Sequence, residues 1–276
     1  MTMTQTNDDD ESRHSSLARA RRVMRALGVA CACALALAYV AALFATTAID
    51  DDRDDARVMK RRFASLSVVC ALAWAPARVA SDETMTLDAW RRTLGLAPPL
   101  GEARAVAYGM SVALAATLGE TAARAREGRR DGRRTRRTTL AAFRDYAHAP
   151  LCEEWCFRAC ALATLMRSGA SAASASALSS ALFGAAHAHH YFGMRAKGAD
   201  ARTALRASAT QFAFTFAFGL AACRVFLRRE SLSAATACHC VCNYVGAPSA
   251  RAFRDARAVA ASALGVSLAL VLLVFA

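Results

Sequence analysis

The chain has 276 residues, of which 55% are hydrophobic, and it carries a formal net charge of +13 at pH 7. A soluble domain of this size can bury a core with fewer apolar residues, so the composition indicates a membrane protein. The basic residues are nearly all Arg and lie between apolar blocks. This distribution is typical of loops beside anionic lipid and argues against a nucleic-acid-binding domain.

The amino-terminal region divides into a polar segment and a first apolar block. Residues 1–22 are polar and contain an acidic cluster, so we expect a disordered tail. Residues 27–49 carry no charge, and they exceed the length of about 20 residues that a membrane span needs. The run is too long for the apolar core of a signal peptide, and it is followed directly by Asp50. We interpret it as a retained first span or signal anchor.

Further apolar blocks follow, separated by charged loops. Together with the first block they predict about eight helices and an all-α polytopic membrane protein, with one multi-helix membrane domain over residues 23–276. The blocks are residues 27–49, 63–77, 105–119, 159–166, 170–187, 208–223, 231–248 and 258–276.

Three short fragments place ionisable groups inside or beside these apolar blocks. They are EEWCFR at residues 153–158, FGAAHAHH at residues 183–190 and HCVCN at residues 239–243. An ionisable group within a membrane span costs at least ~2.5–3.5 kcal/mol on insertion scales, so such groups indicate function.

The spacing of these groups predicts which side chains meet. Glu154 and Arg158 are four residues apart, so a helix places them on one face, where they can pair. Glu153 lies about 100° around the helix and can face a different partner. His239 and Asn243 are also four apart and project together from another helix. The fragments can therefore converge on one polar intramembrane cavity, as sites in helix bundles do.

The chemistry of such a set fits amide hydrolysis. A carboxylate beside an imidazole can hold and deprotonate a water molecule. An imidazole and a primary amide on a facing helix can donate hydrogen bonds to a developing oxyanion. The predicted reaction is therefore cleavage of an amide bond by an activated water.

Structural interpretations of the same residues compete with this one. For Glu154 and Arg158 a buried structural ion pair is the preferred role. A single His at the end of an apolar helix, such as His187, is more often a packed residue than a catalyst. Its neighbours His189 and His190, together with the paired glutamates, shift the balance toward a site.

A zinc site or a cysteine nucleophile is a further alternative. His and Glu are zinc ligands, although the His-Glu-x-x-His helix of zinc proteases is absent. Cys238, Cys240 and Cys242 alternate, so a helix scatters them around His239. No nearby group clearly activates Cys242. The ten cysteines lie mostly in apolar stretches, so we expect free thiols.

Over residues 144–248 the chain resembles the type II CAAX prenyl endopeptidases, the Ras-converting-enzyme group of the membrane glutamate proteases. The motifs are APLCEEWCFR at residues 149–158, FGAAHAHH at 183–190, QFAFT at 211–215 and HCVCNYVGAP at 239–248. The Glu-Glu-x3-Arg pattern marks the broad family. The His-rich and Cys-Asn patterns are narrower and resemble the eukaryotic prenyl proteases.

The resemblance implies a catalytic role for four residues. Glu153 would be the general base, and His187 would help it to activate water. His239 and Asn243 would form the oxyanion hole. No metal and no other cofactor is implied.

The resemblance also implies supporting residues, a fold and a substrate. Glu154 and Arg158 would order the site, and His190 matches the motif as a supporting residue. About eight transmembrane helices would surround a conical cavity open to membrane and cytosol.

The expected activity is removal of the last three residues of prenylated CAAX proteins, of the small-GTPase type, in the endoplasmic reticulum membrane. The expected partners are thus these C-termini and membrane lipid, with no nucleic acid. Two alternatives stay open: a non-catalytic membrane scaffold of the same fold, and a zinc-dependent membrane peptidase.

Overall fold

The computed structural model describes residues 5–81, 84–127, 138–246 and 256–275. Within these ranges the protein is helical, and its one β-type contact is an isolated bridge between Leu96 and Ser231. The predicted all-α class is therefore confirmed for the described part of the chain.

The helices of the described residues are numbered here in chain order. They are α1 (Gln5–Phe44), α2 (Ala56–Leu72), α3 (Ala75–Val79), α4 (Leu87–Thr93), α5 (Glu102–Ala116), α6 (Leu118–Glu127), α7 (residues 139–167), α8 (Ala172–Ala186), α9 (His189–Ala196), α10 (Ala201–Arg229), α11 (Leu232–Val245) and α12 (Ala256–Phe275).

Three of these helices are long and apolar enough to cross a membrane: α1 from His14 onward, α10 and α12. The predicted number of about eight spans is not confirmed. Helix α5 has 15 residues, and at the α-helical rise it is roughly 22 Å long, shorter than the ~30 Å hydrocarbon core. Helix α11 is shorter still, with 14 residues. Helix α1 begins at Gln5, so residues 5–22, where we expected a disordered tail, are helical in the structure.

Helix α7 carries the Glu pair and has an unusual internal geometry. It is continuous, but two π-helical turns, Arg144–His148 and Trp155–Leu162, flank the α-helical segment Ala149–Glu154. The helix begins at residue 139, where the Thr138 hydroxyl accepts a hydrogen bond from the Ala141 amide at 3.2 Å, so Pro150 lies in its interior.

The first π turn explains how Pro150 is tolerated inside a helix. Proline has no N–H, and its ring collides with the carbonyl one α-helical turn earlier. In the wider turn the amide of Ala149 bonds to the carbonyl of Arg144, five residues back. The helix therefore passes through Pro150 without ending.

Small residues allow the helices around α7 to pack closely. A Cβ at Gly109 of α5 would lie 2.1 Å from the Ala234 carbonyl oxygen of α11, and one at Gly219 of α10 would lie 2.9 Å from Ser180 of α8. Close approach through small residues is how helices associate in lipid. The Ser179 hydroxyl of α8 also donates to the Phe157 carbonyl of α7 at 2.7 Å. These contacts hold α8 and α11 in fixed positions beside the Glu pair.

Candidate active site

A cavity of about 500 Å³ opens among α1, α2, α7, α8, α9 and α11. Its wall includes six of the residues that the sequence singled out, namely Glu153, His187, His189, His190, His239 and Asn243. The three polar fragments therefore lie around one cavity, which their spacing allowed.

His239 of α11 lies between the two glutamates of α7. Its Nδ1 is 2.7 Å from Glu154 Oε1, and its Nε2 is 3.5 Å from Glu153 Oε2. Because a carboxylate only accepts, Nδ1 must donate to Glu154, and this bond orients the ring. The His239 side chain is 7% exposed, whereas the Glu153 side chain is 16% exposed, and both reach the cavity. The adjacent glutamates thus have different environments.

Glu154 and Arg158 form the predicted i,i+4 pair behind the cavity wall. Arg158 Nε is 3.0 Å from Glu154 Oε2, and neither side chain is exposed. The guanidinium carbon lies 4.2 Å from the ring centroid of Phe183 and 5.6 Å from that of Phe218. Cation–π contact with the two rings replaces part of the lost hydration. Arg158 therefore fixes one oxygen of Glu154, and the other oxygen of Glu154 accepts the hydrogen bond from His239.

The histidines of the second fragment line the opposite part of the cavity. The Nδ1 atoms of His187 and His189 lie 2.9 Å and 2.7 Å from the carbonyl oxygens of Phe183 and Ala186. Carbonyl oxygens accept, so both Nδ1 atoms donate, which leaves Nε2 of each ring for a further partner. No hydrogen bond or ion pair among the described residues joins His187 to Glu153. The two share a cavity wall, with space for water or substrate between them.

Asn243 lies one turn after His239 on α11. Its side-chain amide donates to the backbone carbonyl of Asp145 at 3.0 Å, in the first π turn of α7. A primary amide has two N–H donors, and a single donated bond is found within the described residues. The second donor can therefore serve the cavity.

Sequence reasoning missed Tyr39 of α1. Its hydroxyl donates to Glu153 Oε1 at 3.4 Å, and its ring packs edge-on against Phe157 with 5.6 Å between centroids. The available signal was weak: Tyr prefers the ends of membrane spans, and Tyr39 lies inside an apolar block. Tyr39 is upstream of residue 144, where only hydropathy supported the resemblance.

The cysteines show no arrangement for a metal. All ten are free thiols. Cys238 is buried, while Cys240 and Cys242 are partly buried. Among the described residues no group of three or more His, Cys, Asp or Glu side chains is placed to hold a metal ion. The donors that the zinc alternative requires are thus not gathered in this part of the chain.

Comparison with known proteins confirms the resemblance drawn from the motifs. Residues 135–245 match a family model described as "Type II CAAX prenyl endopeptidase Rce1-like". A protein of Arabidopsis thaliana named CAAX prenyl protease 2 is 33% identical over 144 residues, which are 51% of this chain and 45% of that protein. A Homo sapiens protein of the same name is 33% identical over 147 residues, 49% of this chain and 43% of that protein. The chain thus matches less than half the length of either relative. No solved structure matches the chain.

Proposed function

We propose that this protein is an intramembrane endopeptidase that removes the C-terminal tripeptide from prenylated CAAX proteins. The observation that carries the proposal is the Glu153 carboxylate on the cavity wall, 3.5 Å from the Nε2 atom of His239. It is supported by the match of residues 135–245 to the prenyl endopeptidase family. The names of the two relatives support the same activity.

In the proposed reaction, Glu153 acts as the general base. It takes a proton from a water molecule, and the water oxygen forms a bond to the scissile carbonyl carbon. The lone pair on His187 Nε2 accepts the second hydrogen of this water and orients it. The C–N bond then breaks, and the proton held by Glu153 passes to the leaving amine. The products are a free tripeptide and a prenylcysteine with a new carboxylate.

The oxyanion of the tetrahedral intermediate requires donors on the other side of the scissile carbon. Asn243 can supply its second amide N–H. His239 can supply Nε2–H when the ring is protonated, because Nδ1 already donates to Glu154. Arg158 keeps Glu154 in place for that bond. Loss of one such donor typically slows catalysis ~10²–10³-fold.

The membrane location explains how the substrate is selected. We propose a multi-pass protein of the endoplasmic reticulum membrane with about eight spans around the cavity, in which the shorter helices pack between the long apolar ones. The isoprenoid stays in lipid or in the cavity while the peptide reaches Glu153. Burial of a farnesyl chain contributes roughly 10 kcal/mol before losses, at ~0.8 kcal/mol per CH₂-sized unit.

The test compares two peptides that differ only in the lipid. Purified protein is given a farnesylated peptide ending in a CAAX sequence and the same peptide with an unmodified cysteine. Release of the tripeptide is followed by mass spectrometry. We expect kcat/KM for the farnesylated peptide to be at least ~100-fold higher. Equal rates would contradict the prenyl-protease assignment even if the protein proves to be a peptidase.

A further inference from the structure

The substrate proposed above carries a negative charge at a fixed distance from the cleaved bond. The released tripeptide ends in a free carboxylate, and three extended residues span about 10 Å. A cavity that orients the tripeptide therefore needs a cation at that distance from Glu153, on the side opposite the prenylcysteine.

Four cationic side chains line the cavity, and two of them are already paired. The four are Arg53, Arg62, Arg144 and Lys197. Asp145 binds Arg144 Nε at 2.7 Å and Arg53 Nη2 at 3.2 Å. Asp54 adds a contact of 2.8 Å with Arg144 Nη1. Lys197 also lines the cavity, but its side chain is exposed to solvent.

Arg62 of α2 is different, because its contacts are with neutral groups. Its Nε donates to the Thr47 hydroxyl at 3.2 Å, and its Nη2 donates to the Ala48 carbonyl at 3.5 Å. Its guanidinium carbon lies 5.4 Å from the ring centroid of Phe44. No ion pair of Arg62 is found among the described residues; the charge of Asp51, also on the wall, acts on it from beyond ion-pair distance. A half-buried guanidinium without an ion pair and with donors to spare is suited to bind an anion.

A row of rings leads from Arg62 to the reaction centre. Phe44, which lies under Arg62, is 5.6 Å from His189, and His189 is 6.5 Å from His187 between ring centroids. The positive field of the arginines extends into this row. Burial, the neighbouring histidines and then Arg53 and Arg62 lower the pKa of His190 to about 3, so this ring is neutral. An anion that enters here meets the charge of the arginines and no charge on His190.

We infer that Arg62 binds the C-terminal carboxylate of the substrate and thereby sets the register at which the chain is cut. The inference rests on the proposed function. The enzyme would then recognise the C-terminus of its substrate: the prenyl group positions the substrate on one side of the cleaved bond, and Arg62 positions it on the other.

The experiment uses two farnesylated CAAX peptides, one with a free C-terminal carboxylate and one with a C-terminal amide. The protein is reconstituted in phosphatidylcholine vesicles, so that no anionic headgroup competes for Arg62. We expect wild type to prefer the acid by at least about 10-fold in kcat/KM. Arg62→Gln should slow cleavage of the acid about 10-fold or more while cleavage of the amide stays within about 2-fold. Cleavage of the amide also reports that the variant is folded.

The matched control is Arg61→Gln. Arg61 is the preceding residue of α2, is exposed and is outside the cavity wall, where its Nη1 donates to the Thr46 carbonyl at 3.4 Å. This variant loses the same charge and should keep the wild-type preference for the acid.

Each outcome has a distinct meaning. An active Arg62→Gln variant with the wild-type ratio of acid to amide cleavage would overturn the inference alone, as expected if Arg62 instead binds a lipid phosphate. Failure of wild type to cleave either peptide would overturn the proposed function together with the inference. If Arg62→Gln loses both activities, Arg62→Met, which keeps an unbranched side chain without the charge, decides: a reduced ratio of acid to amide cleavage supports the inference and an unchanged ratio overturns it.

Discussion

Glu153 and Glu154 are neighbours of the same residue type, and their partners give them different tasks. Glu154 is fully buried between Arg158 and His239, and each of its carboxylate oxygens contacts one of them, so its role is structural. Glu153 has two weaker contacts, with Tyr39 at 3.4 Å and with His239 at 3.5 Å. Its carboxylate therefore remains available to a water molecule.

Separate replacements of Glu153 and Tyr39 should distinguish the role of the base from that of the group that orients it. Glu153→Gln removes the base and is expected to slow cleavage of the farnesylated peptide by at least ~10²-fold, the lower end of the range for general-base catalysis. Tyr39→Phe removes one hydrogen bond to that base and should slow it only about 3–10-fold. Steady-state kinetics in detergent, with protein level measured in the membrane fraction, checks both. Substantial activity of Glu153→Gln would remove the assigned base.

Replacement of Cys238, Cys240 and Cys242 together by Ala should leave most of the activity. Alanine avoids placing a hydroxyl at the buried Cys238 position. A chelator should have no effect on wild type, because the described residues gather no three-ligand metal site. Peptide cleavage with and without chelator is the measurement. Loss of activity that added zinc restores would favour a zinc peptidase.

At the scale of the helix, the sequence predicted pairings better than boundaries. The i,i+4 spacing of Glu154 and Arg158 follows from helix geometry alone, and the pair is present at 3.0 Å. The first π turn of α7 was not predicted, because it arises where Pro150 changes the hydrogen-bond ladder of a helix that begins earlier than the proline. Tyr39 was missed because its contact with Glu153 joins residues 114 positions apart.

The contact between α5 and α11 should be sensitive to a single methyl group. Gly109→Ala places a Cβ 2.1 Å from the Ala234 carbonyl oxygen, a backbone atom that cannot turn away. We expect the free energy of unfolding to fall by about 1–3 kcal/mol. Thermal unfolding in detergent is the measurement. As a control, Gly193→Ala in α9 places a Cβ 3.7 Å from the Ile49 carbonyl oxygen, an ordinary van der Waals contact, and should leave the unfolding temperature close to wild type or raise it.

At the scale of the whole molecule, two arginines of α10 and a tyrosine of α5 bind carbonyls at the end of α12. Arg224 of α10 donates to the Leu273 carbonyl at the end of α12 at 2.8 Å, and Arg228 donates to that of Val274. Cations near the last carbonyls of a helix satisfy acceptors that have no partner in the helix. Tyr108 of α5 adds a bond to the Leu272 carbonyl at 2.8 Å. The long apolar helices α10 and α12 are therefore fastened to α5, on which α11 packs.

The first π turn of α7 has a consequence for the length of the chain. Helix α11 touches α7 at two levels: His239 contacts Glu154, and Asn243 contacts the Asp145 carbonyl. The π turn uses one residue more than an α-helical turn, and most of it, residues 146–148, lies between these two levels. Removal of one residue there would rotate Asp145 about 100° away from Glu154 around the helix axis. Helix α11 could then satisfy one contact but not both, so the alignment of the site depends on the number of residues in this turn as well as on their identity.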